Sequence, residues 1–267
     1  MNRSDWITIY TAVNDARYGV KYDKDKLSPN DGDVCISFVT HDYLKDKVNP
    51  YCIDIGADKC WWSIFCCERF PSLKVDAFEP NGASDEFLHY TAETYPNLRF
   101  HPYAISDKEG VLPFTKAGPD SHSRQASELS VPCKSIVPFL EQCERVDLIK
   151  IDTEGHEIPI LQTIVPWLSK IGAIIFECSL HWYGSTLEES VGKMRDLLQA
   201  ASKTHPYMYM MSRRDEPMLL NMSDETAREN LLRHCYTAPM QVDCFLTRAP
   251  FSFSTAFYPD IALAPSP

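Results

Sequence analysis

Short apolar runs that stop at a glycine or an acidic residue recur through the middle of this chain, and stretches of helical length separate them. Tyr51-Cys-Ile-Asp-Ile-Gly56 is the first of them, an apolar run closing on a glycine as a buried parallel strand does when it enters a turn. Ser63 to Phe70 has helical length and stops at Pro71; Lys74 to Phe78 then returns to a strand that ends at Glu79-Pro80. Those three segments make one β-α-β unit. Farther on, Glu86 to Tyr95 reads as helix, Leu98 to Ile105 as strand, Ser135 to Cys143 as helix, and Val146 to Ile151 as a continuous buried strand ending at Asp152. Ile158 to Leu168 resumes helix, and Ala173 to Phe176 is a further buried strand ending at Glu177. Residues 187 to 202 have helical character, and Tyr207 to Met211 with Val242 to Thr247 read as a closing antiparallel hairpin around a polar insertion that includes Asp224 to His234.

Strands alternating with helices at this spacing predict an α/β fold of the Rossmann-like kind, a mainly parallel sheet covered on both faces with right-handed crossovers. Residues 1–50 read as an N-terminal extension packing on the core, with Val34 to Val39 as a short strand or the start of a helix. Residues 51–249 form the main domain, and 250–267, with Pro259, Pro265 and Pro267, form a tail. In open α/β sheets ligands bind outside the carboxyl ends of the strands. That rule gathers Asp54 to Asp58, Glu79, Asp107, Asp152 to His156 and Glu177 to His181 into one neighbourhood.

Charge narrows the partners. The formal net charge of -11 repels nucleic-acid backbones and anionic membranes, and Lys and Arg form no polybasic tract. No apolar run approaches the roughly 20 residues of a membrane helix, so a cytoplasmic protein without a membrane span is expected. The ten cysteines are irregularly placed and make no pair of CxxC motifs, which points to reduced thiols rather than staples or a zinc site.

A strand, a tight glycine turn and a helix start can present backbone N–H groups to a ligand, so Asp54-Ile-Gly-Ala-Asp58 is a candidate nucleotide cradle. It lacks the G-x-G-x-x-G spacing of a dinucleotide site, and the chain has no P-loop. Glu79, at the end of the second strand, stands where a carboxylate accepts hydrogen bonds from the two hydroxyls of a ribose.

The chain resembles the FkbM-type methyltransferases through Asp54-Ile-Gly-Ala-Asp-Lys-Cys-Trp-Trp-Ser63, Phe78-Glu79-Pro80, Ala104-Ile-Ser-Asp107 with Gly110, and Ile151-Asp-Thr-Glu-Gly-His-Glu157. The resemblance covers roughly residues 50 to 180. It implies a class I methyltransferase fold with a mainly parallel seven-stranded sheet, using S-adenosylmethionine to methylate a hydroxyl oxygen of a carbohydrate, for instance a deoxyhexose such as rhamnose in a glycan. By the same carry-over Asp54, Gly56, Ala57 and Asp58 border the cofactor, Glu79 holds its ribose, Ser106 or Asp107 lies near the adenine, and Asp152 faces the transfer point. Cysteine stands at 60 and aspartate at 58 where the family usually has glycine and asparagine. A side chain at Cys60 would narrow the pocket or demand another loop conformation.

An alcohol is a poor nucleophile while protonated, so a base or a metal must assist. Asp152, Glu154, His156 and His181 are the candidates for the base; a structural, hydrogen-bonded role competes for His156. Asp152 and Glu177, at the ends of neighbouring strands, are candidate ligands for a hard divalent cation such as Mg2+, or else cap the following loops. Trp61, Trp62, Trp182 and Tyr183 lie beside the site, to stack on a sugar or to pack the core. Two other readings compete: a nicotinamide-dependent dehydrogenase, weakened by the missing glycines, and a non-catalytic binding module whose cofactor pocket Cys60 blocks.

Overall fold

The computed structural model describes residues 32–58, 60–81, 93–114, 129–178, 180, 183, 186–212, 218–221, 224–237 and 242–252. Eight of the described strands form one sheet and three form a second. The main sheet is built from β1 (Tyr51–Ile55), β2 (Lys74–Phe78), β3 (Leu98–His101), then β7 (Val146–Ile151), β8 (Ile171–Glu177), β9 (Tyr207–Ser212), β10 (Met218–Asn221) and β11 (Val242–Thr247). The second holds β4 (Ala104–Ser106), β5 (Gly110–Phe114) and β6 (Leu129–Ser135).

The order in the main sheet is β10-β9-β11-β8-β7-β1-β2-β3. From β3 to β8 every neighbouring pair is parallel, whereas β11 runs antiparallel to both β8 and β9. The chain therefore winds outward from β1 in one direction through β2 and β3 and in the other through β7 and β8. The switch point lies between β1 and β7, where an open α/β sheet leaves its crevice. Tyr207 to Met211 and Val242 to Thr247 do pair antiparallel, as expected, and β10 adds an edge strand that makes the sheet eight-stranded rather than seven.

Strand alternation sorts the buried residues into two cores, one on each face. Cys52, Val75, Ala77, Leu148, Ala173 and Ile175 face a core shared with α1 (Gly32–Leu44) and α2 (Trp61–Arg69). Ile53, Ile55, Phe78, Ile149, Ile151, Ile174 and Phe176 face the other, shared with α4 (Glu157–Ile164) and α5 (Leu187–Ala201), while α3 (Val137–Gln142) contributes Leu140. Each fully buried aliphatic side chain stabilises by about 1.5–3 kcal/mol, and a one-residue slip of β1 would exchange its two faces. Val34 to Val39 belongs to helix α1, and the buried Trp62 indole donates to Thr40 Oγ1 at 2.9 Å, fastening α1 to α2. In α5, Val191, Met194, Leu198 and Ala201 repeat at helical spacing along the buried side, and Thr186 caps the helix by accepting the Glu189 N–H.

Several expected elements are redrawn. Leu98 to Ile105 is two strands in different sheets, because Pro102 has no N–H for a ladder and fixes its own φ. Ser135 ends β6 and the helix starts at Val137. Ile158 to Leu168 divides at Pro166 into α4 and a 3-10 turn, Val165–Lys170. The polar insertion holds β10 and α6 (Glu225–Thr237). Most of the expected helix Glu86 to Tyr95 lies outside the described residues. None of the helices described is long and apolar enough to cross a membrane.

Candidate functional site

The carboxyl ends of β1, β2, β7 and β8 bring the expected residues together. Gly56 follows β1 with φ +76, and a Cβ there would stand 1.8 Å from the Asp152 carbonyl oxygen, so the backbones after β1 and β7 touch at a place only glycine fits. Asp58 (φ 43) and Cys60 (φ 58) adopt the left-handed region as well. The Gly56 and Ala57 amides both donate to the Phe78 carbonyl, at 3.0 and 3.1 Å, and the Cys60 amide donates to the Ala57 carbonyl. The turn is therefore closed by its own main chain. These amides do not face open space as a nucleotide cradle would require, because the end of β2 takes them up first.

Cys60 keeps the backbone that a glycine would adopt and turns its thiol inward. The residue is fully buried and packs in the α1–α2 core. The position holds an L-residue in a conformation that costs roughly 1 kcal/mol.

Glu79 is the best-formed group. Its carboxylate is 7% exposed and accepts the Asp58 N–H at 2.9 Å on one oxygen and the Asn81 N–H at 2.7 Å on the other. Each oxygen keeps a lone pair for a further donor, which is what a ribose diol presents, so the residue fits the cofactor that the resemblance implies. Burial pushes its pKa up to about 7, against the pull of the two amides.

Beside it, Asp54 is fully buried at the end of β1, with one oxygen accepting Ser63 Oγ at 2.7 Å. Burial drives its carboxyl above the ordinary range, and Lys150 pulls it back. Lys150, itself enclosed, places Nζ 3.5 Å from Asp54 Oδ1 and 3.3 Å from Asp152 Oδ2.

The loop after β7 carries the other candidates. Glu154 (φ 52) and Gly155 (φ 110) pass consecutively through left-handed backbone. One buried side chain holds that shape: Glu157 Oε1 accepts the Thr153 N–H (2.9 Å), the Thr153 hydroxyl (2.8 Å) and the Gly155 N–H (3.2 Å). Its Oε2 accepts the Tyr183 hydroxyl at 2.5 Å, tying the loop to the segment after β8. Burial raises the Glu157 carboxyl above its usual range while these donors act against the rise. Asp152, Glu154 and Glu177 each offer a carboxylate oxygen, all within 4.8 Å of one another.

His156 points to a different partner from the one a catalytic base needs. Its Nε2 lies 3.0 Å from Ser106 Oγ, and that hydroxyl donates to Asp107 Oδ1 at 2.9 Å. Ser106 and Asp107 thus join the site through β4 of the small sheet. Burial lowers the His156 pKa and the Asp107 charge partly offsets it, so the ring is neutral at pH 7. His181 and Trp182 lie outside the described residues.

Lys150 and Glu157 were absent from the expected site residues, and Tyr183, expected beside the site as a stacking or packing ring, instead acts through its hydroxyl on Glu157. Lys150 had a visible signal, a lysine inside a continuous buried strand, where a charge must find partners. Glu157 opens a helix and looks back at the amides before it, a position that a carboxylate favours.

A family model described as "Methyltransferase FkbM domain" matches residues 12–204. No curated protein matches the chain. Among solved structures, similar ones include a precorrin-6y C5,15-methyltransferase from Geobacter metallireducens GS-15 (13% identity, 80% of this chain and 88% of that one, TM-score 0.41). A fibrillarin/Nop5p complex (12%, 84% and 83%, 0.48) and the plantazolicin methyltransferase BpumL in complex with SAH (12%, 93% and 98%, 0.44) are others.

Proposed function

The chain belongs to the FkbM methyltransferase family, and on that premise we propose that it transfers the methyl group of S-adenosylmethionine to a hydroxyl oxygen of a carbohydrate. The observation that carries the reading is the grouping at the switch point: the buried, amide-oriented Glu79 on the cofactor side, and the Asp152, Glu154 and Glu177 oxygens within 4.8 Å of one another on the acceptor side. Carboxylates are acceptors only, and a polyhydroxylated sugar is rich in donors that fill them.

Bound S-adenosylmethionine supplies an electrophilic methyl carbon on a sulfonium. Glu79 would accept the ribose hydroxyls and Asp54 would stand at the methionine end, while Gly56 lets the loops after β1 and β7 meet beneath them. Asp152 and Glu154 would orient the acceptor hydroxyl, and one of the two carboxylates would take its proton as the oxygen gains the methyl group. Because His156 is engaged with Ser106, proton removal falls to the carboxylates, and His156 fixes the loop that bears them. The burial of the Cys60 thiol in the core favours this reading over a non-catalytic binding module.

The same carboxylate oxygens form the donor set that a hard divalent cation takes, and cation assistance is the second reading they support.

Calorimetric titration with S-adenosylmethionine and SAH, on the wild type and Glu79→Ala, tests the first claim. Micromolar binding, about -8 kcal/mol, should weaken about tenfold or more in the variant. Absence of binding by a folded wild type would sink the enzyme reading. Binding licenses a screen of sugar acceptors with magnesium and with chelator, in which equal rates would remove the cation.

A further inference from the structure

Five carboxylates converge on the strand ends of this site, Asp54, Glu79, Asp152, Glu154 and Glu177, and Lys150 is the buried cation set among them. Its position follows from sheet geometry. Asp54 and Lys150 are register partners on adjacent parallel strands, so they share a face, and Asp152 lies two residues beyond Lys150 in the direction of the crevice. The ammonium bridges the two carboxylates at 3.5 and 3.3 Å, and its nitrogen lies 6.0 Å from the centre of the Trp61 ring. Asp152 is the partner that reaches solvent, with 34% of its side chain exposed, while Lys150 and Asp54 are closed off.

We propose that Lys150 is a positioning residue that sets the charge balance at the methyl-transfer point, tying Asp54 on the cofactor side to Asp152 on the acceptor side. The inference rests on the reading that the switch point holds S-adenosylmethionine. Methyl transfer removes a positive charge from sulfur. Unopposed carboxylates would hold the charged sulfonium more tightly than the neutral thioether product, stabilising the ground state against reaction. A buried ammonium offsets that grip and fixes the Asp152 rotamer, and in a low-dielectric site its effect is large.

The affinity ratio of S-adenosylmethionine to SAH reads the field at sulfur without any acceptor. Both ligands are titrated calorimetrically into wild type, Lys150→Met and Lys150→Arg. The ratio should shift about fivefold toward S-adenosylmethionine in Lys150→Met and stay within about twofold of wild type in Lys150→Arg. A structural role alone would weaken both ligands together, and an unchanged ratio in Lys150→Met overturns the proposal while leaving the cofactor reading intact. Failure of the wild type to bind either ligand overturns the cofactor reading and the proposal with it. Should Lys150→Met not fold, since it strands a buried Asp54, the comparison is Lys150→Met/Asp54→Asn against Asp54→Asn. The same shift there supports the proposal, and no shift overturns it.

Discussion

Two loops meet at the switch point, and both run through left-handed backbone. The turn after β1 does so at Gly56, Asp58 and Cys60, and it closes mainly on main-chain carbonyls, those of Phe78 and Ala57, with Glu79 taking the Asp58 amide. The loop after β7 does so at Glu154 and Gly155 and closes on one side chain, the Glu157 carboxylate, backed by Tyr183. Past Gly56, where a Cβ would meet the Asp152 carbonyl, a turn satisfied by main chain asks its residues for a φ value and little else, which is how a cysteine stands at 60. A loop satisfied by one carboxylate depends on that residue's identity.

The largest effect that separates them is expected at Glu157. Replacing it by alanine leaves two amides, two hydroxyls and a cavity without their acceptor, and should cost about 3 kcal/mol in chemical denaturation. A cost below about 1 kcal/mol would mean that the loop after β7 is held by its backbone after all.

A comparable but pH-limited effect belongs to Glu79. Its pKa in the folded protein is raised from 4.5 to about 7, so its neutral form is favoured by folding. The stabilisation it contributes is complete below about pH 4.5 and lost as pH rises through about 7, up to ~3 kcal/mol in all. The ligand-free wild type should therefore lose stability relative to Glu79→Gln between those limits, followed by urea unfolding at stepped pH. Parallel curves for the two proteins would contradict the burial argument. Cofactor binding runs the other way, because ribose hydroxyls need the ionised carboxylate, and should strengthen over the same interval.

The smallest effect sharpens the comparison most. Cys60→Gly relieves left-handed strain and gives up a buried thiol, two terms of about 1 kcal/mol each that nearly cancel. At Cys66, inside α2, the same exchange loses the thiol and adds the helical cost of glycine, about 2 kcal/mol in total. Equal costs at the two positions would show that the turn places no special demand at 60.

Much of the frame was legible beforehand. Tyr51–Ile55 and Val146–Ile151 were readable as apolar-rich runs with hard stops and Lys74–Phe78 as an alternating apolar strand ending at Glu79-Pro80, and the topological rule then placed Asp54, Glu79 and Asp152 together. The small sheet was not legible. Its strands are short, β5 and β6 are mostly half-buried or exposed and each contains a proline, so neither apolar continuity nor clean alternation marks them. Nor does sequence order reveal that Glu157 is locked in place by Tyr183 from the segment after β8, or that His156 turns toward Ser106 about fifty residues upstream. Both are facts of packing rather than of local pattern.

The cysteines give the molecule a chemical clock. Cys52, Cys60, Cys66 and Cys67 lie in the core beneath the β1 turn, and Cys178 and Cys244 in the core on the opposite face. Burial raises the thiol pKa of the first three of these well above the usual value, so a thiol reagent meets them only when the protein opens. Mapped peptide by peptide over time, alkylation would date the opening of each half separately and tell whether the two faces of the sheet come apart as one event or two.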